Sequence, residues 1–135
     1  MWNSLKYEIK QMKKQGTGGS IINCSSQCGV MAQAGLGAYT SSKHAVVGLT
    51  KVAALENAKN KIRVNCICPG STDTPMVQKA IKDFPEHMKK LIGAIPLGRI
   101  ATTEEIGSAV LYLASDYAGY ITGDIMNLDG GSALV

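Results

Sequence analysis

Aromatic residues are scarce in this chain: one Phe, one Trp and five Tyr among 135 residues. Basic residues outnumber acidic ones, 14 Lys+Arg against 10 Asp+Glu, for a net charge of +4. Lys6, Lys10, Lys13 and Lys14 crowd the first helix, a pattern that ordinarily marks a solvated face. With so few rings to stack on bases, the positive balance does not point to nucleic acid. Long apolar runs are missing as well. None reaches the ~18 residues of a membrane helix, and no basic segment followed by an apolar one opens the chain. The expectation is no membrane and a cytoplasmic location. Ordered metal-ligand spacing is thin: the four cysteines stand at 24, 28, 66 and 68. Cys24-x-x-x-Cys28 falls within the range seen for zinc pairs. Both pairs, however, sit among apolar residues and read as small buried hydrophobes in a reducing compartment, with no metal.

What is present is a soluble balance, 45% hydrophobic and 18% charged, on a chain long enough for one modest core. Trp2, Leu5, Ile9 and Met12 recur at helical spacing, Lys10, Lys13 and Lys14 suit the negative end of that helix, and Gly16 ends the run. After the turn Gly16–Gly19, residues 20–25 read as a buried strand and 26–37 as a glycine-bearing loop. Residues 38–57 predict a long helix with many small side chains: Ala45, Val46, Val47, Gly48, Ala53 and Ala54. Residues 62–68 predict a second strand, stopped by Pro69-Gly70, with Cys66 and Cys68 pointing the same way. Residues 71–100 predict an irregular or short-helical excursion. Thr102-Thr-Glu-Glu105 fits a capping box opening a helix to about Ala114. Residues 124–128 predict a third strand, closed by Asp129-Gly130-Gly131. Strands alternating with helices indicate an α/β parallel sheet covered on both faces, with its functional loops at the carboxyl ends of the strands. Ser26 and the segment from Pro69 to Thr74 then line one edge.

That edge carries chemistry. Tyr39 and Lys43 stand four residues apart, about one helical turn, and share a face. A free phenol ionises near pH ~10, and a fixed ammonium beside it favours the phenolate. Ser26, 13 residues before Tyr39, could hold a carbonyl oxygen next to that phenol. The combination suits reduction of a ketone or oxidation of an alcohol. Tyr-x-x-x-Lys is a weak signal in a chain with 5 Tyr and 14 Lys+Arg. The alternative is a solvated lysine beside a half-buried tyrosine, and the flanking segments decide.

Those segments are Asn23-Cys-Ser-Ser26, Tyr39-x-x-x-Lys43, Asn65-x-x-x-Pro69-Gly70, Thr74, and Ile121-Thr-Gly-Asp124 with Asp129-Gly130-Gly131. In order and spacing, over nearly all of the chain, they resemble the C-terminal half of the short-chain dehydrogenase/reductase family. The resemblance implies the C-terminal portion of a Rossmann-like, doubly wound parallel sheet, with about three strands and flanking helices. It implies NAD or NADP as cofactor and a small-molecule alcohol or ketone as substrate. Ser26 resembles the carbonyl-orienting serine, with Ser25 as its next-door rival. Tyr39 resembles the catalytic acid/base, and Lys43 the lysine that holds the nicotinamide ribose and activates the tyrosine. Pro69, Gly70, Thr72 and Thr74 match the segment around the nicotinamide. Thr72 stands where the family usually has Ile or Val, a change that a backbone contact would survive. Met76, Phe84, Met88 and Ile95 fall in the family's variable substrate lid, or in a plain helical hairpin over the core. The resemblance divides one partial domain into a catalytic core at 1–70, a lid at 71–101, and a last helix and strand at 102–135. It also implies a homo-oligomer, dimer or tetramer, through the first two helices.

The family's Thr-Gly-x-x-x-Gly-x-Gly turn, which sets a pyrophosphate on a helix N-terminus, has no counterpart here. Gly16-x-Gly18-Gly19 precedes a strand, and Gly35-x-Gly37 precedes a helix but follows no strand, so both read as turns. The family's catalytic asparagine falls before Met1, and Asn3 is out of register. The expectation is a fragment of a longer oxidoreductase. The alternative is a truncated, non-catalytic member that serves only in association with other subunits.

Overall fold

The computed structural model describes residues 1–135. Helix α1 (Trp2–Gln15) ends at Gly16, whose φ of 73° is left-handed and whose N–H bonds the Met12 carbonyl. Lys13 and Lys14 stand at its negative end. Leu5 is buried, and Ile9 and Met12 pack partly buried against Ile21, Ala53, Ala54, Ile62 and Val64. Trp2 lies outside this contact, 62% exposed, so the predicted four-residue stripe is three residues long.

Strands β1 (Gly19–Cys24), β2 (Ile62–Pro69) and β3 (Ile125–Leu128) form a parallel sheet in the order β1-β2-β3. Gly19 pairs with Ile62 and Cys24 with Ile67, while Cys66 pairs with Ile125 and Pro69 with Leu128. Because side chains alternate along a strand, β2 serves both faces. Ile62, Val64, Cys66 and Cys68 pack toward α1 and α2 (Gly37–Asn57). Arg63 and Asn65 turn the other way, toward α5 (Thr103–Ala114) and the chain that follows it. The sequence-predicted α/β sheet with helices on both faces is the observed one.

Polar side chains tie these layers together. Arg63 donates to the carbonyls of Leu113 at 2.8 Å and Ser115 at 3.2 Å, and Ser20 Oγ donates to Leu113 at 3.0 Å. They satisfy carbonyls that the end of α5 leaves without helical partners. Asn65 is fully buried; its Nδ2 donates to the Ile121 carbonyl and its Oδ1 accepts the Asp124 N–H, both at 3.0 Å. Pro69 has no N–H, and Gly70 supplies the next bond across, to the Leu128 carbonyl at 3.0 Å.

Between β2 and α5 the excursion contains α3 (Pro75–Asp83) and α4 (Pro85–Gly93), each with proline in its first turn. Thr74 caps α3 by accepting the Val77 N–H. The excursion closes on itself: Ala101 donates to the Ser71 carbonyl at 3.0 Å and Asp73 donates to Ala101 at 2.8 Å. Thr102 and Glu105 make the predicted reciprocal cap of α5, and Arg99 grips both oxygens of Glu105. No helix is long and apolar enough to cross a membrane.

Candidate active site

The carboxyl ends of β1 and β2 lie side by side, since the strands are parallel and in register. Ser26 leaves β1 there with extended backbone (φ −169°, ψ 164°) and caps a short 3₁₀ turn, Gln27–Gly29. Its half-buried Oγ accepts the Cys28 N–H at 3.2 Å. The hydroxyl proton has no acceptor within the chain. Tyr39 stands in the first turn of α2, 45% exposed. One turn later Lys43 places its Nζ 5.5 Å from the centre of the Tyr39 ring. The structure therefore puts the Tyr39 ring and the Lys43 ammonium on one face of α2, as the four-residue spacing predicts. It brings the Ser26 turn against the same helix, because Gly29 abuts the Lys43 carbonyl and the Val47 side chain.

Pro69 and Gly70 end β2 at this rim. A Cβ on Gly70 would come within 2.9 Å of both Asp129 Cα and Gln27 Oε1, so only glycine lets the three segments meet. Thr72 turns its hydroxyl back to the Gly70 carbonyl at 3.2 Å, and its backbone bridges to Ala101. Thr74 begins α3 as its cap. Among the expected lid residues, Met76 and Phe84 are exposed, whereas Met88 and Ile95 are buried.

Beneath the rim, Cys66 and Cys68 lie side by side, wholly buried with Val46 and Val47. The neighbouring Cys68 thiol, reinforced by burial, pushes Cys66 above its ordinary range, and the Cys66 Sγ donates to the Ile67 carbonyl at 3.4 Å. The Cys66 thiol beside it brings Cys68 down to about 7 against the opposing effect of burial, helped by the Ser26 backbone. Cys66 and Cys68 point inward as the strand pattern predicts and Cys28 is buried, but Cys24, expected to be a buried hydrophobe, lies exposed at the end of β1.

A cavity of about 520 Å³ borders the end of β2 but does not touch Ser26, Tyr39 or Lys43. It lies between Ile95, Leu97, Ile106, Leu128 and Gly130, and of the expected rim segment only Ser71 reaches it. Depth is therefore no guide to the candidate chemistry. Nor do the glycine-rich turns reach the rim together. Gly18-Gly19 sits at the opposite, amino end of β1, packed on Lys61 and Met12. Gly35 is a left-handed turn residue before α2.

A family model described as enoyl-(acyl carrier protein) reductase matches residues 1–133. Short-chain dehydrogenase srdC of Neurospora crassa is 53% identical over 86% of this chain and 43% of its own length. The chain belongs to the short-chain dehydrogenase/reductase family. Solved structures of this family superpose closely. ElxO with NADP bound gives a TM-score of 0.89 at 34% identity, over 97% of this chain and 52% of that one. Acetoin dehydrogenase from Enterobacter cloacae gives 0.82 at 38% identity, over 96% and 49%. The observed sheet is thus part of a Rossmann-like short-chain dehydrogenase fold. The chain spans about half the length of the curated relatives it matches, 43% for one and 53% for another.

Two buried side chains near this rim make contacts that the sequence did not specify, although Asn65 stood in a matching motif. Asn65 joins β2 to residues 121–124, and Ser25 joins the end of β1 to α2. The serine doublet marked Ser25 only as a rival to Ser26; its burial and its bond to residue 43 arise from tertiary contact.

Proposed function

We propose that this chain carries the proton-handling part of an NAD(P)-dependent oxidoreductase that interconverts a secondary alcohol and a ketone. The observation that carries the reading is the Lys43 ammonium 5.5 Å from the Tyr39 ring centre, at a strand-end rim shared with Ser26. In alcohol oxidation the Tyr39 phenolate takes the hydroxyl proton; in ketone reduction the phenol returns it to the oxygen. The Ser26 hydroxyl, uncommitted as a donor within the chain, hydrogen-bonds the same oxygen and fixes its position, an effect of order ~10²-fold in rate. Lys43, beside the Tyr39 ring, reaches the cofactor ribose. When bound, a nicotinamide accepts or delivers the hydride. The donor set fits that end of a dinucleotide: Lys43 and Tyr39 for ribose hydroxyls, with Pro69, Gly70, Thr72 and Thr74 along the nicotinamide. It does not supply a pyrophosphate cradle at the rim, because Gly18-Gly19 lies at the other end of β1.

NADP in a structural relative and the alcohol–ketone chemistry in the name of another support this reading. Turnover would be measured with NAD(H) and NADP(H) against a panel of secondary alcohols and ketones. Tyr39→Phe should abolish turnover, with a far smaller loss of cofactor affinity because Lys43 still holds the ribose. Equal activity in that variant would refute the role given to Tyr39.

A second reading is favoured by unpartnered apolar surface. Val52 and Leu55 on α2 are 50% and 82% exposed, and Trp2 and Tyr7 stand exposed on α1. On that reading the chain is an association module, pairing through these helices with another subunit in a dimer or tetramer. Fluorescence titration with NADH and NADPH separates the two: saturable quenching supports the oxidoreductase reading, and none at millimolar cofactor supports the module.

A further inference from the structure

Ser25 reacts with nothing in the scheme above, yet it is the better-buried serine of the pair, 4% exposed. Its Oγ donates to the main-chain carbonyl of Lys43 at 2.9 Å, across 18 residues of sequence. Its N–H donates to the Ile67 carbonyl at 2.9 Å. One residue is therefore fastened to β2 through its backbone and to α2 through its side chain. Gly29 completes the arrangement. A Cβ there would fall 2.3 Å from Ser25 Oγ and 3.1 Å from the Lys43 carbonyl. The turn that begins at Ser26 can fold back over this hydrogen bond only because residue 29 has no side chain.

We infer that Ser25 is a positioning residue: its hydroxyl sets the separation between the turn bearing Ser26 and the helical turn bearing Tyr39 and Lys43. The inference rests on the roles proposed for those three residues. A substrate oxygen must meet the Ser26 hydroxyl and the Tyr39 phenol at once, and these come from different elements. The Ser25–Lys43 bond is the side-chain link between those elements nearest to both. Its anchor is the carbonyl of the lysine itself, so a slip at this bond would displace hydroxyl and ammonium relative to each other. Displacements of about 1 Å cost ~10²-fold in rate when reacting groups must be aligned.

The test compares Ser25→Ala, Gly29→Ala and the double variant with the unmodified chain, by steady-state kinetics and by peptide-resolved amide hydrogen exchange. Ser25→Ala should lower kcat by ~10²-fold with KM for the cofactor unchanged. Exchange should speed up in residues 26–30 and 43–47 while α5 keeps its protection. Gly29→Ala should do the same, and its effect should be smaller in the S25A background, where the oxygen that its Cβ would strike is gone. Unchanged kcat in Ser25→Ala, beside a dead Tyr39→Phe, would overturn the positioning role and leave the proton-transfer reading standing. Active Tyr39→Phe would instead sink that reading, and the positioning role with it. Faster exchange throughout the chain, or effects of the two substitutions that simply multiply, would make Ser25 an ordinary packing residue and overturn the proposal.

Discussion

The stretch from β1 to β2 and the excursion from Ser71 to Ala101 are built on different terms. In β2 the residues Ile62 and Val64 to Cys68 are buried, whereas α3 buries none of its side chains and α4 buries only Met88. The first region is fixed by apolar contact and by long-range bonds from Asn23, Ser25 and Asn65. The second is fixed at its ends, by the Ser71–Ala101 closure and by helix caps. A rim assembled on the first can keep its geometry while the second changes. An enzyme that holds one proton-transfer arrangement over varied substrates would want that division of labour.

The sharpest way to break the contrast is a cavity in the first region. Ile62 is 1% exposed between α1, α2 and the sheet, and Ile62→Ala should lower unfolding stability by ~2–5 kcal/mol. Urea denaturation followed by circular dichroism checks this; a loss within experimental error would mean that the core is not where burial places it. Next in size is the cap at the end of the excursion. Thr102→Ala removes the hydroxyl that accepts the Glu105 N–H and should cost ~1 kcal/mol in the same assay.

Acid should sharpen the comparison, with a smaller effect still. The Arg99 guanidinium, aided by the Thr102 N–H, holds the Glu105 carboxyl down at about 2, against an ordinary value of 4.5. A depressed acid contributes stability that is fully present above its unfolded value and is lost as pH falls through its folded one. The melting-temperature gap between the unmodified chain and Glu105→Gln should therefore be constant above pH 4.5 and close as pH falls toward 2. This pair is exposed to solvent, so added salt should narrow the gap as well. Smallest of all, Phe84→Ala, at a site 62% exposed between α3 and α4, should shift stability by no more than ~0.5 kcal/mol. A loss comparable to that of Ile62→Ala would show that the excursion is part of the core after all.

What could be read from the sequence follows the same division. Gly16, the Thr102–Glu105 box and the stop at Pro69-Gly70 announce themselves, because each is a local rule about backbone conformation or capping. The four-residue spacing of Tyr39 and Lys43 is equally local, and the structure keeps it. The two helices of the excursion were legible only as irregular or short-helical pieces; in the structure Pro75 and Pro85 open them. Trp2 shows the limit of periodicity: it has the right phase and no partner. Ser25, Arg63 and Asn65 were not legible in their roles, because their partners lie 18 to 59 residues away. A polar residue in an apolar strand signals that a partner exists without saying which.

The placement of Asn65 has a further consequence, for the order in which the molecule assembles. On its β3 side the central strand closes only onto residues 121–128: Cys66 donates to Asp124, Gly123 donates to Val64, and Asn65 bonds Ile121 and Asp124. Such distant pairings make folding slow and late. A nascent polypeptide leaving the ribosome would thus hold its middle strand half-zipped, with the Asn65 amide and the Cys66 and Gly70 N–H groups unspoken for, until residue 128 has cleared the exit.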